Sequence, residues 1–288
     1  MTAYYEFTNP ITDKVNIMTQ QTHTDRGTAV VTGASTGMGA LYAGRLARMG
    51  YDLIIVARNH NRLNQLAEHI TTDSGRSVEV VAADLTDAAQ LARVEEKLRQ
   101  DASITLLVNN AGIGTHTPLL QSSAEQMTAM INLNVTALTR LTYAVAPGFV
   151  DRGHGAVINI ASIVSIAPEL LNGVYGGSKA FVLAFTQSLH HELASKGVQV
   201  QAVLPGATAT PFWDNGGLPV EQLDPKIVMS AQDMVDAALR GFARGELITI
   251  PSLQDEALWT NYEQARQAMI PHLGSDAPAP RYQPVSVH

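Results

Sequence analysis

Seven short apolar runs alternate with longer, helix-like segments along most of this chain, and this alternation limits the possible folds more than any other feature. The apolar runs are Thr28–Thr32, Leu53–Ala57, Val78–Ala82, Ile104–Val108, Ala156–Ile160, Val198–Val203 and Leu247–Ile250. The helix-like segments are Met38–Met49, Arg62–Ile70, Ala88–Gln100, Ala124–Phe149, Tyr175–Ser195 and Ala231–Ala243. Continuous apolar runs are typical of strands that are covered on both faces. Their order predicts an α/β fold: a doubly wound, seven-stranded parallel sheet with helices on both faces, in a single domain.

Length and composition agree with a globular protein and exclude several classes of function. The chain has 288 residues, of which 45% are hydrophobic and 16% are charged, and these values are ordinary for a folded domain. The net charge of −7 comes without a basic stripe, which argues against nucleic-acid binding. There is no cysteine, and the histidines are not spaced as metal ligands, so we expect neither disulfides nor a metal site.

The two ends of the chain differ from its middle. Residues 1–26 are polar and are expected to form an N-terminal extension, and residues 27–270 are expected to form the catalytic domain. Residues 271–288 are rich in proline and small residues, which predicts an extended C-terminal tail. The sequence shows no secretory signal and no run of ~18 apolar residues, so we expect a cytoplasmic protein without membrane contact.

A glycine-rich turn follows the first predicted strand and opens the first predicted helix. Its pattern is G-x-x-x-G-x-G, from Gly33 through Gly37 to Gly39. Such glycines permit a tight turn, a close approach of the backbone to a pyrophosphate, and close packing of helix on strand. The N-terminus of the helix also favours an anion. Strand, turn and helix together indicate a Rossmann fold that binds a dinucleotide. The residues expected at the pyrophosphate are Gly33, Ser35, Thr36, Gly37, Met38 and Gly39.

The end of the second predicted strand bears on the choice of cofactor. It reads Ala57-Arg58-Asn59, with no carboxylate to hold a ribose 2′-hydroxyl. Arg58 is able to pair with a 2′-phosphate, so we expect NADP(H) to be favoured over NAD(H). The alternative is a solvated loop arginine. Asn59 and Arg62 are candidates for the same site, although Arg62 is also placed to lie on the exposed face of a helix.

Further cofactor candidates follow three other strands. Asp84, with Leu85 after it, is placed either to meet the adenine amino group or to cap the next helix. Small residues after the fourth strand would let the backbone run along the cofactor, and asparagine side chains there are able to tie strand ends together. The candidates there are Asn110, Ala111 and Gly112. After the sixth strand, a nicotinamide carboxamide is the expected ligand, and a simple turn is the alternative. The candidates there are Pro205, Gly206, Thr208 and Thr210.

Tyr175 and Lys179 are four residues apart in a predicted helix and therefore share one face. An ammonium beside a phenol is expected to lower the tyrosine pKa, so that the tyrosine exchanges a proton near neutral pH. Ser162 ends the fifth strand and is placed to donate to a substrate oxygen. Ser165 is an alternative for that role, and chemistry alone does not separate the two.

Two asparagines lie inside a predicted helix, where asparagine is unfavourable. They are Asn132 and Asn134. One of them is expected to hold a water that relays protons from Lys179. The alternative is a helix bend with solvated amides.

Taken together, these motifs resemble the classical short-chain dehydrogenase/reductase family, in the order of that family and over residues 27 to 250. The matching pieces are Thr32–Gly39, Asp84, Asn109–Gly112, Asn134, Ser162, Tyr175, Lys179 and Pro205–Thr210. The resemblance implies a single Rossmann domain, NAD(H) or NADP(H), and a catalytic tetrad of Asn134, Ser162, Tyr175 and Lys179, of which Tyr175 and Lys179 also contact the cofactor. It further implies a homotetramer or homodimer built through two long central helices. The chain departs from the family at Ala161, where many members have a serine pair with Ser162, and at Ala137, where glycine is common.

These residues predict an oxidoreductase that transfers a hydride between a nicotinamide and a carbonyl or secondary alcohol, with Tyr175 as the acid/base. A non-catalytic NADP(H)-binding sensor or scaffold is the alternative, but such proteins usually lose a catalytic residue and here all four are present. The loop at Phe212–Val228 contains Phe212, Trp213, Leu218 and Leu223. It is expected to form a lid over an apolar pocket for a small hydrophobic or ring-bearing substrate.

Overall fold

The computed structural model describes residues 26–282, with the exception of the side chain of Asn215. The N-terminal extension expected at residues 1–26 therefore lies, apart from Arg26, outside the described residues. The main sheet has seven parallel strands in the order β3-β2-β1-β4-β5-β6-β9. Those strands are β1 Thr28–Thr32, β2 Asp52–Ala57, β3 Val78–Ala82, β4 Ile104–Asn109, β5 Gly155–Ile160, β6 Val198–Val203 and β9 Ile248–Thr249. A separate parallel pair joins β7 Thr208–Ala209 to β8 Met229–Ser230. The predicted seven-stranded parallel sheet is confirmed.

Helices cover both faces of the sheet, as predicted. They are α1 Gly37–Arg48, α2 His60–Ser74, α3 Ala88–Gln100, α4 Ala124–Ile131, α5 Leu138–Arg152, α6 Gly173–Leu193, α7 Phe212–Asn215, α8 Ala231–Ala243 and α9 Glu256–Met269. On one face, Tyr42 and Leu46 of α1 and Val235 of α8 are buried in one apolar cluster. On the other face, Leu141 of α5 and Leu189 of α6 belong to a second cluster. The sheet is therefore buried on both sides, which explains why its central strands are continuous apolar runs.

The strand order places the site. The chain runs outward from β1 to β3 on one side and from β4 to β9 on the other, so the order reverses between β1 and β4. Loops that leave the carboxyl ends of two strands diverge at such a reversal and open a crevice there. The glycine turn after β1 and the segments after β4, β5 and β6 therefore meet at one edge of the sheet.

Asparagine side chains tie the strand ends together, as the sequence suggested. The Asn109 Nδ2 group of β4 donates to Asn159 Oδ1 of β5 at 2.9 Å and to Thr142 Oγ1 of α5 at 3.0 Å. The Asn159 Nδ2 group in turn donates to Thr186 Oγ1 of α6 at 2.9 Å. All four side chains are buried, so these bonds form in a medium of low dielectric where they strongly specify the alignment of strands and helices.

The helix predicted at Ala124–Phe149 is not one continuous α-helix. Between α4 and α5 the chain forms a π-helical segment, Asn132–Ala137. A π-segment inserts an extra residue into the helical ladder, and such segments are frequent at functional sites. The unfavourable asparagines seen in the sequence lie in this segment.

Helix α9 was not predicted, and the expected extended tail contains two short turns. No residue of α9 is buried, so its apolar residues do not form the inward stripe by which an amphipathic helix is recognised. Its start is marked by Asp255, which accepts a hydrogen bond from Ala257 N–H at 3.0 Å. Within residues 271–288, the described part includes 3-10 turns at Ile270–His272 and Pro280–Tyr282.

Candidate active site

The glycine turn after β1 forms a cradle of bare backbone. Gly33 has a φ of +66°, and a Cβ placed there would lie 2.8 Å from Ala111 Cα. A Cβ on Gly39 would lie 2.3 Å from the Gly33 carbonyl oxygen, so α1 packs on β1 more closely than any side chain permits. Thr36 precedes α1, and within the described chain its side chain makes no capping hydrogen bond. The first amides of α1 therefore point into the cradle without a side-chain acceptor, and this arrangement fits a pyrophosphate.

A network of hydrogen bonds fixes the opposite wall of the cradle. Thr32 Oγ1 accepts from the backbone N–H groups of Asn110 and Ala111, both at 3.0 Å. The Asn110 Nδ2 group donates to the Thr32 carbonyl at 2.8 Å and to that of Gly33 at 3.3 Å. The end of β4 is thus joined to the end of β1, which brings Asn110, Ala111 and Gly112 beside the glycine turn.

Arg58 and Asp84 lie near each other at the ends of β2 and β3. Hydrogen bonds from the Thr86 hydroxyl and the Thr86 N–H lower the pKa of Asp84, and the positive charge of Arg58 contributes in the same direction. Asp84 does not cap α3, because Asp87 does so by accepting from Gln90 N–H at 2.8 Å. The helix-cap alternative for Asp84 is therefore wrong.

The side chains of two other predicted cofactor residues make their contacts within the protein. The side chain of Asn59 caps α2 by accepting from Arg62 N–H at 3.0 Å. The Leu85 side chain is buried in the apolar core, so only its backbone is able to face a ligand. Arg62, by contrast, is an exposed residue in the first turn of α2.

Tyr175 and Lys179 both lie in the first turns of α6 and are buried, with 6% and 5% of their surface exposed. Asn172 starts the helix: its Oδ1 accepts from Val174 N–H at 2.9 Å, and its Nδ2 donates to the Thr117 carbonyl at 2.7 Å. Asn172 was not singled out in the sequence, although an asparagine three residues before Tyr175 is a helix-start signal. Lys179 Nζ donates to the Ile160 carbonyl at 2.8 Å and lies 5.9 Å from the centre of the Tyr175 ring.

The pKa of Tyr175 differs from the sequence-based expectation. Burial raises it to about 12, and the hydrogen bond between the tyrosine hydroxyl and Ser162 acts in the opposite direction. Burial also lowers the pKa of Lys179 to about 8. The pKa of Tyr175 is therefore raised and not lowered as the sequence predicted, because loss of water around the buried phenol outweighs its interaction with Ser162.

The structure distinguishes the two candidate serines. Ser162 lies close enough to the Tyr175 hydroxyl to lower the pKa of the tyrosine, and its Oγ donates to the Pro205 carbonyl at 3.4 Å. Ser165 instead donates its hydroxyl to the Lys179 carbonyl at 2.8 Å. Ser162 is therefore the serine beside the tyrosine hydroxyl, whereas Ser165 supports the backbone of α6.

The π-helical segment buries Asn134 to 1% exposure and turns its amide toward the loop after β4. Its Oδ1 accepts from Ile113 N–H at 2.9 Å, and its Nδ2 donates to the Ile113 carbonyl at 2.8 Å and to Ser178 Oγ at 3.0 Å. A Cβ built on Gly112 would lie 3.2 Å from Asn134 Oδ1 and 3.4 Å from Lys179 Nζ. The asparagine amide and the lysine ammonium thus flank the same glycine.

The segment after β6 closes the crevice from the other side. Its Pro205 carbonyl accepts from Ile163 N–H at 3.0 Å, next to Ser162. Thr208 Oγ1 donates to the Gly206 carbonyl at 3.1 Å. Thr210 faces the glycine turn, since a Cβ on Gly37 would lie 3.4 Å from Thr210 Cβ. The predicted nicotinamide segment therefore spans the distance between the serine and the phosphate cradle.

Helix α7 lies over the tyrosine, in the loop expected to form a lid. The Phe212 ring centre is 5.7 Å from that of Tyr175, and Trp213 Nε1 donates to the Thr208 carbonyl at 2.9 Å. A small apolar pocket opens beside these rings. Its lining includes Gly114, Leu171, Phe212, Trp213, Gly216 and Leu218. Leu223, also named in the predicted lid, is not part of this lining.

Across residues 26–282, no cluster of three or more histidine, aspartate or glutamate side chains is arranged to hold a metal ion. Among the same residues, no helix is both long enough and apolar enough to cross a membrane.

Comparison with known proteins agrees with this geometry. The family model described as short chain dehydrogenase matches residues 27–217. A short-chain dehydrogenase from Sphingobium yanoikuyae, solved in complex with NADPH, has 48% sequence identity and a TM-score of 0.86, and the match covers 89% of this chain and 100% of that one. A bulky-bulky ketone specific alcohol dehydrogenase from Comamonas testosteroni has 43% identity and a TM-score of 0.84, with 91% and 100% covered.

A more distant sequence relative points the same way. An uncharacterized oxidoreductase of Staphylococcus epidermidis is 32% identical over 212 residues, which are 73% of this chain and 88% of that protein. The glycine cradle, the strand order and these matches lead to one conclusion: the chain belongs to the short-chain dehydrogenase family and is an NAD(P)-dependent oxidoreductase.

Proposed function

We propose that this enzyme transfers a hydride between NADP(H) and the carbonyl or secondary alcohol carbon of a small apolar molecule, with Tyr175 as the acid/base. One observation carries the proposal. The buried Tyr175 lies beside Ser162, with Lys179 one helical turn away and with the glycine cradle at the same edge of the sheet. This is the arrangement needed to hold one oxygen and to exchange one proton with it.

The nicotinamide ring of the bound cofactor supplies or accepts the hydride. The side chains of the protein orient the substrate and transfer the proton. Ser162 and Tyr175 hold the substrate oxygen between their hydroxyls. During reduction, Tyr175 gives its proton to that oxygen as the oxygen becomes an alcohol. Because burial raises the pKa of Tyr175 to about 12, its hydroxyl is protonated at neutral pH and is prepared to act as the acid.

Lys179 and Asn134 support this proton transfer. The Lys179 ammonium donates to the Ile160 carbonyl and lies 5.9 Å from the centre of the tyrosine ring, and it would hold a ribose hydroxyl of the cofactor. Asn134 holds the loop after β4 through both the oxygen and the nitrogen of its side-chain amide. It lies near Lys179 Nζ, on the other side of Gly112. We assign to Asn134 the water through which the tyrosine recovers its proton.

NADP(H) is the proposed cofactor. Arg58 at the end of β2 lies close enough to Asp84 to affect its pKa, and it stands where a carboxylate would hold a ribose 2′-hydroxyl. The Sphingobium relative was solved with NADPH. A guanidinium favours the extra phosphate, whereas the absence of a carboxylate at residues 57–59 removes the group that would reject it.

An apolar substrate is proposed from the walls of the pocket beside Tyr175. Its walls include Leu171, Phe212, Trp213 and Leu218, beside the polar Thr115 and His116, so we expect it to favour an apolar group of the substrate. The Comamonas relative is specific, by its name, for bulky-bulky ketones, and we propose that this enzyme shares its ketone chemistry but not its tolerance of two bulky groups. We therefore propose an apolar ketone or the corresponding secondary alcohol.

Assembly, location and domain bounds stay predictions. We propose a homotetramer or homodimer through α5 and α6, a cytoplasmic location, and a catalytic domain that spans residues 27–270.

The test is the Tyr175→Phe variant, assayed for ketone-dependent oxidation of NADPH. We expect kcat to fall by about a hundredfold to ten-thousandfold, because the proton donor is lost. The dissociation constant for NADPH, measured by fluorescence, should stay within about threefold of that of the unchanged enzyme, since the cradle is intact. Turnover at the unchanged rate would contradict the proposal, and so would a lack of turnover of any ketone or alcohol by the unchanged enzyme.

A further inference from the structure

We infer that Phe212 sets the size of the group that a substrate is able to carry next to the Tyr175 hydroxyl, and that Thr115 and His116 hold Phe212 in place. This inference rests on the proposed function, because it presumes that the substrate oxygen lies at Ser162 and Tyr175.

Phe212 packs directly against the proposed catalytic tyrosine. The two ring centres are 5.7 Å apart at an angle of 44°. Phe212 is one of the side chains that pack on the small cluster formed by Tyr175, Val164 and two methionines of α4. Phe212 also lines the small apolar pocket, so its ring contacts both that pocket and the tyrosine ring.

Gly114 provides the space into which the tip of this ring fits. A Cβ built on Gly114 would lie 2.4 Å from Phe212 Cζ and 2.9 Å from Tyr175 Cε2. The backbone of Gly114 does not have a positive φ, so the glycine is needed here for space and not for its conformation. The ring is thus enclosed by the loop after β4 on one side and by the tyrosine on the other.

The loop after β4 also clamps α7, the short helix that carries Phe212. The Gly216 carbonyl at the end of α7 accepts from His116 at 3.0 Å and from Thr115 Oγ1 at 3.3 Å. A carbonyl only accepts, so His116 donates from its Nδ1. Trp213 ties the beginning of the same helix to Thr208. Helix α7 has only four residues and is not stable by itself, so these bonds determine where its phenylalanine lies.

The ring therefore limits one substituent of the ketone. A methyl group needs little room beside the tyrosine, whereas a butyl or phenyl group requires the space that Phe212 occupies. In a hydrophobic pocket, rejection of a group that is larger by one or two methylenes reaches about tenfold to a few hundredfold in kcat/KM. The Phe212→Ala variant should remove this limit without touching any group that exchanges protons.

The experiment uses three phenyl ketones in which the second group is methyl, butyl or phenyl, assayed with NADPH and the full-length enzyme. For the unchanged enzyme we expect kcat/KM to fall as the second group grows. In Phe212→Ala, the ratio of kcat/KM for the butyl and phenyl ketones to kcat/KM for the methyl ketone should rise at least about tenfold. Phe212→Leu should be intermediate. The matched control is Tyr262→Ala, which removes an aromatic ring that lies outside the pocket lining and should leave the order unchanged.

The clamp is tested by the double variant Thr115→Val, His116→Ala. If the clamp holds the ring, this variant should accept the butyl and phenyl ketones more readily than the unchanged enzyme, with an unaltered NADPH dissociation constant. The inference is overturned if the unchanged enzyme converts all three ketones equally well, or if either Phe212→Ala or the clamp variant keeps the original order. Failure of the proposed function would look different, because then no ketone would be reduced by any variant.

Discussion

At the scale of single residues, burial decides the charge on the two central groups of α6. Lys179 is 5% exposed and its pKa is lowered to about 8 by burial, whereas burial raises the pKa of Tyr175 to about 12. In an unfolded chain the same groups titrate near their ordinary values, about 10.4 and about 10. Each difference makes the free energy of unfolding depend on pH.

The first prediction concerns Lys179→Met. Between pH 8 and about 10.4 the unfolded chain binds a proton at Lys179 that the folded chain has released, so the free energy of unfolding should rise with pH in that window. The rise is on the order of 1 to 3 kcal/mol. Tyr175 acts in the opposite direction only above about pH 10. Urea unfolding at pH 7, 8, 9 and 10 measures this, and the rise should be missing in Lys179→Met. An equal slope in both proteins would show that Lys179 titrates normally.

Arg58→Ala tests the proposed choice of cofactor. Loss of one charge-assisted contact with a 2′-phosphate should raise KM for NADPH by about tenfold to a hundredfold, with KM for NADH nearly unchanged. The control is Arg99→Ala, an exposed arginine of α3 that pairs with Glu96. Steady-state kinetics of each variant measure KM for NADPH and KM for NADH. Equal losses with NADPH and NADH would show that Arg58 does not recognise the phosphate.

At the scale of elements, the π-helical segment positions a single side chain. It contains two asparagines, but only Asn134 is buried, with its amide bonded to Ile113 and Ser178. Asn132 lies in the same segment and is partly exposed. Replacing either asparagine with alanine changes the helix propensity by the same amount. A difference between the two variants therefore reports on the buried hydrogen bonds of Asn134.

We predict that Asn134→Ala lowers the free energy of unfolding by about 2 to 3 kcal/mol, because buried partners on Ile113 and Ser178 lose their hydrogen bonds. Asn132→Ala should change it by less than about 0.5 kcal/mol. The kcat of Asn134→Ala should fall as well, whereas that of Asn132→Ala should not. Denaturant melts and kinetics of both variants provide the measurement. If both variants lost the same free energy of unfolding and the same kcat, the π-helical segment would have no specific role in positioning Asn134.

At the scale of the whole molecule, an aromatic row lies across the outer faces of α5 and α6. Tyr143 is 69% exposed and stacks with Phe185 at 6.5 Å, and Phe185 stacks with Phe181 at 5.6 Å. Exposed aromatic clusters of this kind are frequent in protein interfaces. The row therefore supports the proposed association through the two long helices.

Tyr143→Glu should convert the oligomer to a smaller species, because two copies of a symmetric interface would each bury a new carboxylate. Light scattering after gel filtration measures the mass. The matched control is Tyr282→Glu, since Tyr282 has the same exposure of 69% but lies at the end of the described chain. A monomeric unchanged protein, or an oligomer that withstands Tyr143→Glu, would contradict association through α5 and α6.

Local features of the sequence were sufficient to predict much of the fold. Continuous apolar runs predict buried strands because each strand loses water on both faces, and this holds for the five inner strands of the sheet, whereas the edge strand β3 has no buried residue. The last of them is shorter than predicted, Ile248–Thr249 instead of Leu247–Ile250. Helix α9 escaped prediction because it buries no residue and so has no inward stripe.

The sequence by itself determined what depends on neighbours along the chain: the alternation of strands and helices, the bare glycine turn, and the one-turn spacing of Tyr175 and Lys179. Only the tertiary structure decided that Phe212 lies on the tyrosine ring and that burial raises the pKa of the tyrosine. The reason is physical. A strand or a turn depends on a few adjacent residues, whereas contact and loss of water around one hydroxyl depend on every element packed against it.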